Sequence, residues 1–181
     1  MRKFVLATAM LGFATMTGAA YAQMAMSGAP AGPAGPASEA KRNYEGVKAN
    51  ILKSAEKMPE DGYSFKPKPD IRVYARILNH VTEAQFRSCG AFNGVKDFQK
   101  PPADTADKAT VVAALKASFD ECDKAYAALT DANIGEMVSV GPAKRSRIGL
   151  LWGTNSHDNE QYSQLALYLR LKDIAPPSAE K

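Results

Sequence analysis

Apolar residues recur at three- and four-residue steps in four stretches of this 181-residue chain, and this spacing predicts amphipathic helices. The first predicted helix runs from Ser38, a residue type suited to the N-cap, to about Met58. The second begins after a capping Asp70 and ends near Gly90. Two prolines, Pro67 and Pro69, predict an extended connection over residues 63–69 between these helices.

The third predicted helix follows a capping Thr105 or Asp107. Its core-facing seam is predicted to consist of Val112, Leu115, Phe119, Cys122, Tyr126 and Leu129. The last helix is expected to begin at Pro142. Amide groups in the first turn of a helix have no hydrogen-bond partner within it, so the missing N–H of a proline costs nothing there. It is expected to end before Pro176. Its apolar stripe is predicted to consist of Leu151, Asn155, Asp158, Tyr162, Leu165 and Leu169.

No segment alternates apolar and polar residues with period two, so strands are not expected. The chain is therefore predicted to be all-α, with a four-helix bundle over residues 39–178. Two connections, 91–106 and 130–141, are long enough to cross the bundle, so the helices that they join need not be antiparallel neighbours.

The N-terminal residues have the pattern of a cleavable signal peptide over residues 1–22. Arg2 and Lys3 precede a short apolar run, and a small-x-small cleavage site ends at Ala22. Because the run is too short for a membrane anchor, the mature protein is expected to be periplasmic or secreted and without an anchor. Residues 23–38 are uncharged and rich in Ala, Gly and Pro, and they are expected to form a flexible linker.

The charge pattern argues against nucleic acid as a partner. The chain carries 23 basic and 19 acidic residues, a formal net charge of +4. The predicted signal peptide contains two of the basic residues and no acidic one, so the net charge of the mature chain falls to +2. No basic run is interleaved with aromatic residues, so no nucleic-acid interface is predicted.

The two histidines, His80 and His157, are the main candidates for chemistry. His80 falls on the apolar line of the second helix, and His157 lies one turn before Gln161 on the last. Imidazoles on the inward sides of two helices suit a metal site inside a bundle. They suit two hydrogen-bonded core histidines equally well, and the spacing alone does not separate these alternatives.

Three segments resemble the DinB/YfiT-like superfamily: residues 55–80 (AEKMPEDGYSFKPKPDIRVYARILNH), 78–89 (LNHVTEAQFRSC) and 156–178 (SHDNEQYSQLALYLRLKDIAPPS). The resemblance covers roughly residues 40–178 and implies a four-helix bundle with a divalent transition metal, nickel or zinc. In that family one ligand is a histidine of the second helix, and two more form a His-x-x-x-His pair on the last. His80 and His157 match two of these three positions.

The third ligand position departs from the family pattern, because Gln161 stands where the last histidine belongs. A carboxamide offers only a neutral oxygen, which binds transition metals weakly. Glu160, three residues after His157, is a substitute carboxylate ligand or simply part of a solvated face.

Two functions therefore stay open at the level of the sequence. The resemblance implies a metal-dependent hydrolase or a thiol-dependent transferase that acts on a small molecule. The alternative is a non-catalytic binding or structural bundle that has lost full metal coordination through Gln161. The sequence decides neither whether the protein is an enzyme nor whether it forms a homodimer.

The cysteines Cys89 and Cys122 are the only two in the chain. In an exported protein they suggest a disulfide, because periplasmic and extracellular compartments are oxidising. Cys122 also fits the role of a small apolar core residue. A catalytic cysteine is not expected, since no histidine is near either cysteine in the sequence.

Two features at the start of the last helix have more than one interpretation. Gly153 lies one turn before His157 and leaves room for a ligand or for a neighbouring helix, at a cost of about 1 kcal/mol relative to alanine. Arg145 and Arg147 gain nothing from the dipole at this end of a helix. They are interpreted as part of a solvated turn or of a site for an anion.

Overall fold

The computed structural model describes residues 35–180, so the predicted signal peptide and most of the predicted linker lie outside the described residues. The described part forms four α-helices, a two-stranded sheet and two short 3₁₀ helices. Their bounds are α1 Pro36–Lys57, α2 Tyr74–Phe92, α3 Lys108–Ala128, β1 Met137–Val140, β2 Ala143–Ser146 and α4 Arg147–Leu171, with 3₁₀ helices at Glu60–Ser64 and Pro177–Ala179. The predicted four-helix bundle is confirmed. None of these helices is both long and apolar enough to cross a membrane.

The helices follow the order α1, α3, α2, α4 around the bundle, because α1 and α2 each pack against both α3 and α4. Gln85 and Cys89 of α2 contact Ser118 and Cys122 of α3, respectively, so these two neighbours run parallel. The connection between α2 and α3 must therefore return along the length of the bundle. The other two pairs of neighbours for which contacts fix a direction are antiparallel. For α1 and α3 the contacts are Tyr44–Asp123 and Glu56–Lys116. For α2 and α4 they are His80–His157 and the contact of Tyr168 with Arg72, which lies just before α2.

The first helix begins earlier than predicted. Ser38 lies inside α1 and not at its N-cap, and the helix includes the last residues of the predicted linker. A carboxylate from elsewhere in the chain caps it instead, since the Ala37 amide donates to Asp131 Oδ1 at 2.8 Å. For α3 the predicted cap is confirmed, because Asp107 Oδ1 accepts from the Thr110 amide at 2.7 Å.

The second helix begins later than predicted. Its N-cap is Val73, and Asp70 lies in an exposed turn before it. The amide of Tyr74 donates to the carbonyl of Phe65 at 3.0 Å. The backbone of the preceding connection thus provides the first acceptor that a side-chain cap would otherwise provide.

A β-hairpin corrects the prediction that the chain has no strands. β1 and β2 are antiparallel, and the turn between them consists of Gly141 and Pro142. Gly141 has a φ of 61°, a left-handed conformation that glycine adopts without strain. Pro142 is therefore a turn residue, and α4 begins only after Ser146, whose side chain accepts from the Gly149 amide.

The core follows the helical periodicity closely. Every residue of the predicted stripe on α4 is buried, and so is the α3 seam, except that Val111 replaces Val112 as its first fully buried residue. Cys89 and Cys122 lie in this core and form a disulfide between α2 and α3, with their Cα atoms 4.9 Å apart. The bridge joins two parallel helices that are not connected by a tight turn.

Candidate functional site

The two histidines meet across the interface of α2 and α4. The Nε2 atoms of His80 and His157 are 3.1 Å apart, and the two rings are close to perpendicular, at 70°. Both side chains are partly exposed to solvent. The structure therefore places the imidazoles in one cluster, with their Nε2 atoms directed toward each other.

A buried carboxylate orients His157. Asp158, which is only 2% exposed, lies with Oδ1 3.1 Å from Nδ1 of His157. Its Oδ2 accepts a hydrogen bond from Nε2 of Gln85 at 2.8 Å. If Nδ1 of His157 donates to the carboxylate, then Nε2 carries the lone pair. This is the arrangement in which a carboxylate usually supports a metal-binding histidine.

The carboxylate is in turn held by residues of α2 and α3. Ser118 Oγ donates to Gln85 Oε1 at 2.7 Å, which fixes the amide of Gln85 so that its nitrogen points toward Asp158. Gln85 and Ser118 are fully buried. A hydrogen-bonded chain thus runs from α3 through α2 to α4 and ends at the histidine pair, and such a buried network keeps its members in one geometry.

The pKa values of Asp158 and His80 are shifted in opposite directions. Burial raises the pKa of the Asp158 carboxyl, and the hydrogen bonds from His157 and Gln85 act in the opposite direction. Burial lowers the pKa of His80, and the neighbouring His157 and Arg72 add to this effect. His80 is therefore neutral at neutral pH, the form in which an imidazole binds metals. Its Nδ1 is buried and has no hydrogen-bond partner among residues 35–180.

Neither of the two candidates for a third ligand forms a hydrogen bond with this pair among residues 35–180. Gln161 is 3% exposed, and its Oε1 accepts from Nε2 of Gln164 at 3.3 Å. Glu160 is exposed on the outer side of α4. In the described part of the chain, no three His, Cys, Asp or Glu side chains lie close enough together to hold a metal ion.

A cleft of about 600 Å³ opens beside the histidine pair, between α2, the hairpin and α4. The chemically active residues that line it are Arg76, His80, Glu83, Arg87, Arg145 and His157. The volume is in the range of small-molecule sites. Of the two arginines considered from the sequence, Arg145 lines the cleft, whereas Arg147 pairs with Glu136 at 2.9 Å and lies over the ring of Phe92.

The sequence did not reveal the residues that support the histidines. The sequence pattern predicts Asp158 only as part of the apolar stripe, and it indicates no role for Gln85 or Ser118. One signal was present, since an acidic residue on a buried stripe must be paired or neutralised. The partner of Asp158 could not be predicted, because it depends on how α2, α3 and α4 are offset from one another along the bundle axis.

Comparison with known proteins identifies the family. The model of the DinB superfamily matches residues 43–165, a range that contains both histidines. The chain belongs to the DinB superfamily. Its DinB fold is similar to that of a DinB-like protein from Bacillus subtilis, with a TM-score of 0.58 and 13% identity over 75% of this chain and 92% of that one. A DinB-like protein from Bacillus cereus gives a TM-score of 0.64 and 12% identity, over 77% and 95% of the two chains. No curated protein matches.

The carboxylate behind His157 gives a first prediction for this DinB protein. If the histidine pair holds nickel or zinc, Asp158→Asn is expected to weaken that binding by about 10- to 100-fold, because an amide does not orient the imidazole in the same way. Competition with a chromophoric chelator measures the affinity. Asp123→Asn is a matched control, since Asp123 pairs with Lys48 on the α1 side of the bundle. Equal affinities of wild type and Asp158→Asn would show that the carboxylate does not support a metal ligand.

Proposed function

We propose that this DinB protein binds a divalent transition metal, nickel or zinc, through Nε2 of His80 and His157. The observation that supports the proposal is the 3.1 Å separation of these two atoms. At this separation both nitrogens could hold one ion at the usual metal–nitrogen distance of about 2.0–2.1 Å. Two imidazoles are also donors that both metals accept. The donor set fits the ion, although it is one protein ligand short of the family pattern.

The residues around the pair have distinct roles in this proposal. Asp158 holds the proton of His157 on Nδ1 and thereby keeps Nε2 free. His80 stays neutral, since burial lowers its pKa and the neighbouring His157 and Arg72 add to this effect. Gln85 fixes the orientation of the carboxylate through its hydrogen bond to Oδ2. Together these contacts preorganise two ligands before any metal arrives.

The reaction class that we propose is metal-dependent hydrolysis or thiol-dependent transfer on a small molecule. When bound, the metal supplies Lewis acidity that lowers the pKa of water or of a thiol. Both cysteines of the chain are in the disulfide, so the thiol of a transfer reaction would belong to a substrate. The cleft beside the histidines provides the space for that substrate.

A specific observation favours a second candidate, a binding module without catalytic metal. The side chain at the third ligand position, Gln161, is engaged with Gln164 and does not line the cleft. In this alternative, His80 and His157 form a hydrogen-bonded pair, with Nε2 of one ring donating to Nε2 of the other. The cleft then binds its ligand through other side chains.

Metal analysis of protein prepared without an affinity tag separates the two candidates. After incubation with nickel or zinc and removal of free ions, mass spectrometry should find one equivalent of metal in the wild type. His80→Ala and His157→Ala should retain none. Glu160→Gln is the matched control, because Glu160 is exposed and the proposal gives it no part in binding. Wild-type protein that stays free of both metals favours the binding module.

We also propose that the protein functions outside the cytoplasm, in the periplasm or in the medium. Two features support this location: the signal-peptide pattern of residues 1–22, and the disulfide, which persists in oxidising compartments. N-terminal sequencing of the protein recovered from a periplasmic extract or from the medium should begin at Gln23. Recovery of the uncleaved chain from the cytoplasm alone would contradict the proposal.

A further inference from the structure

The cleft beside the histidine pair contains more positive than negative side chains. Arg76, Arg87 and Arg145 line it, and Glu83 is the one acidic residue among its described lining. Nη2 of Arg76 lies 3.4 Å from Oε2 of Glu83, so these two charges offset each other. The uncompensated positive charge of the cleft therefore comes from Arg87 and Arg145.

Neither of these two arginines is neutralised by the protein itself. Arg87 is exposed on α2 and makes no hydrogen bond or ion pair with any residue between 35 and 180. Nη2 of Arg145, on β2, donates to the carbonyl of Gly149 at 2.9 Å, which leaves the other guanidinium donors without a carboxylate. The cleft thus has two guanidinium groups, from different elements, with unused donors.

Gly153, near the start of α4, leaves space for the guanidinium of Arg145. A Cβ atom at Gly153 would lie 3.1 Å from Nη2 of Arg145, which is closer than ordinary van der Waals contact. A methyl group at position 153 therefore requires the guanidinium of Arg145, which lies against the helix one turn before His157, to move by a few tenths of an ångström. The space that the sequence left open for a ligand or a neighbouring helix is occupied by Arg145.

We propose that the cleft binds a small organic anion, whose carboxylate or phosphate group is held by Arg87 and Arg145. Guanidinium groups present paired donors that match two oxygens of such a group. A cleft of about 600 Å³ fits a metabolite-sized ligand. The inference rests on the proposed function for what happens at His80 and His157, but the binding of the anion requires neither the histidines nor a metal.

Calorimetric titration of metal-free protein, in chelator and at low ionic strength, tests this site. The probes are succinate, inorganic phosphate and the neutral analogue succinamide. Succinate or phosphate should bind and succinamide should not, and the anion that binds identifies the acidic group that the site recognises. Arg87→Gln and Arg145→Gln should each weaken binding at least about tenfold, since each removes charge-assisted hydrogen bonds. Arg42→Gln, at an exposed position on α1, is the matched control and should change nothing.

A second variant tests the role of the glycine. Gly153→Ala should keep the protein folded, because alanine is the better helix former. It should nevertheless weaken anion binding, since the guanidinium of Arg145 must move by a few tenths of an ångström to make room for the new methyl group. Unchanged affinity in this variant would contradict the positioning of Arg145, and equal loss in Arg42→Gln would show that the binding is unspecific. Either result overturns the proposal.

Failure of this inference and failure of the proposed function have different signatures. A protein that binds the anion but no nickel or zinc supports the anion site and contradicts the proposed metal site. Metal binding without affinity for either anion overturns the anion site and leaves the metal site standing.

Discussion

Replacing both cysteines, Cys89→Ala together with Cys122→Ala, is expected to lower the free energy of unfolding by about 3–4 kcal/mol. The two residues are 33 positions apart, so the bridge restricts a long loop of the unfolded chain. It also joins the parallel helices α2 and α3, whose connection runs the length of the bundle. Urea unfolding of the double variant and of the oxidised wild type measures the difference.

Reduction of the wild type provides the control for this prediction. A reducing agent should destabilise the wild type by a similar amount and leave the double variant unchanged. The loss of stability should also extend to the hydrogen-bonded residues behind His157. Cys89 lies one turn after Gln85 on α2, and Cys122 lies one turn after Ser118 on α3. Equal stability of oxidised and reduced wild type would contradict the prediction.

Most of the fold could be predicted because burial on a helix repeats every three or four residues. The stripe from Leu151 to Leu169 is an example, since each of its members is buried at the position that the period predicts. The direction of α3 could not be predicted in this way. Residues 91–106 were long enough to return along the bundle, but only the contacts Gln85–Ser118 and Cys89–Cys122 show that they do.

The hairpin was missed for a physical reason. Each strand has only four residues, and β1 contains a single buried residue, Val140. Two-residue alternation over so short a segment does not differ from chance, and the hairpin depends on its packing against α2 and α4. Pro142 then favoured a helix start, because prolines are common both in first turns and in tight turns.

The candidate site was only partly predictable. Periodicity and the family resemblance indicated His80 and His157, and the structure brings their Nε2 atoms together. The network behind them depends on contacts between three helices, which no local pattern encodes. Arg145 was predicted to belong to a solvated turn or to an anion site, but Arg87 could not be assigned to the same cleft. The two residues are 58 positions apart, and both line the cleft only because the hairpin packs against α2.

Gln161→His is expected to raise the affinity for nickel or zinc by roughly a hundredfold or more, because a third imidazole replaces a weak neutral donor. Position 161 lies one turn after His157 on the same helix, so the two side chains are neighbours. Gln161 is already buried, and its carboxamide is engaged only with Gln164 in the described part of the chain. A histidine there needs no new backbone geometry to reach the space beside His157.

The alternative predicts the opposite behaviour for the same variant. If His80 and His157 are a hydrogen-bonded pair and not ligands, Gln161→His buries one more titratable group without a partner and only destabilises the protein. Metal titration and thermal unfolding of wild type and Gln161→His, each with and without His80→Ala, separate the two cases. In the first case the gain in affinity and a metal-dependent rise in Tm both disappear with His80. In the second case there is no gain to lose, and Tm falls whether or not metal is present.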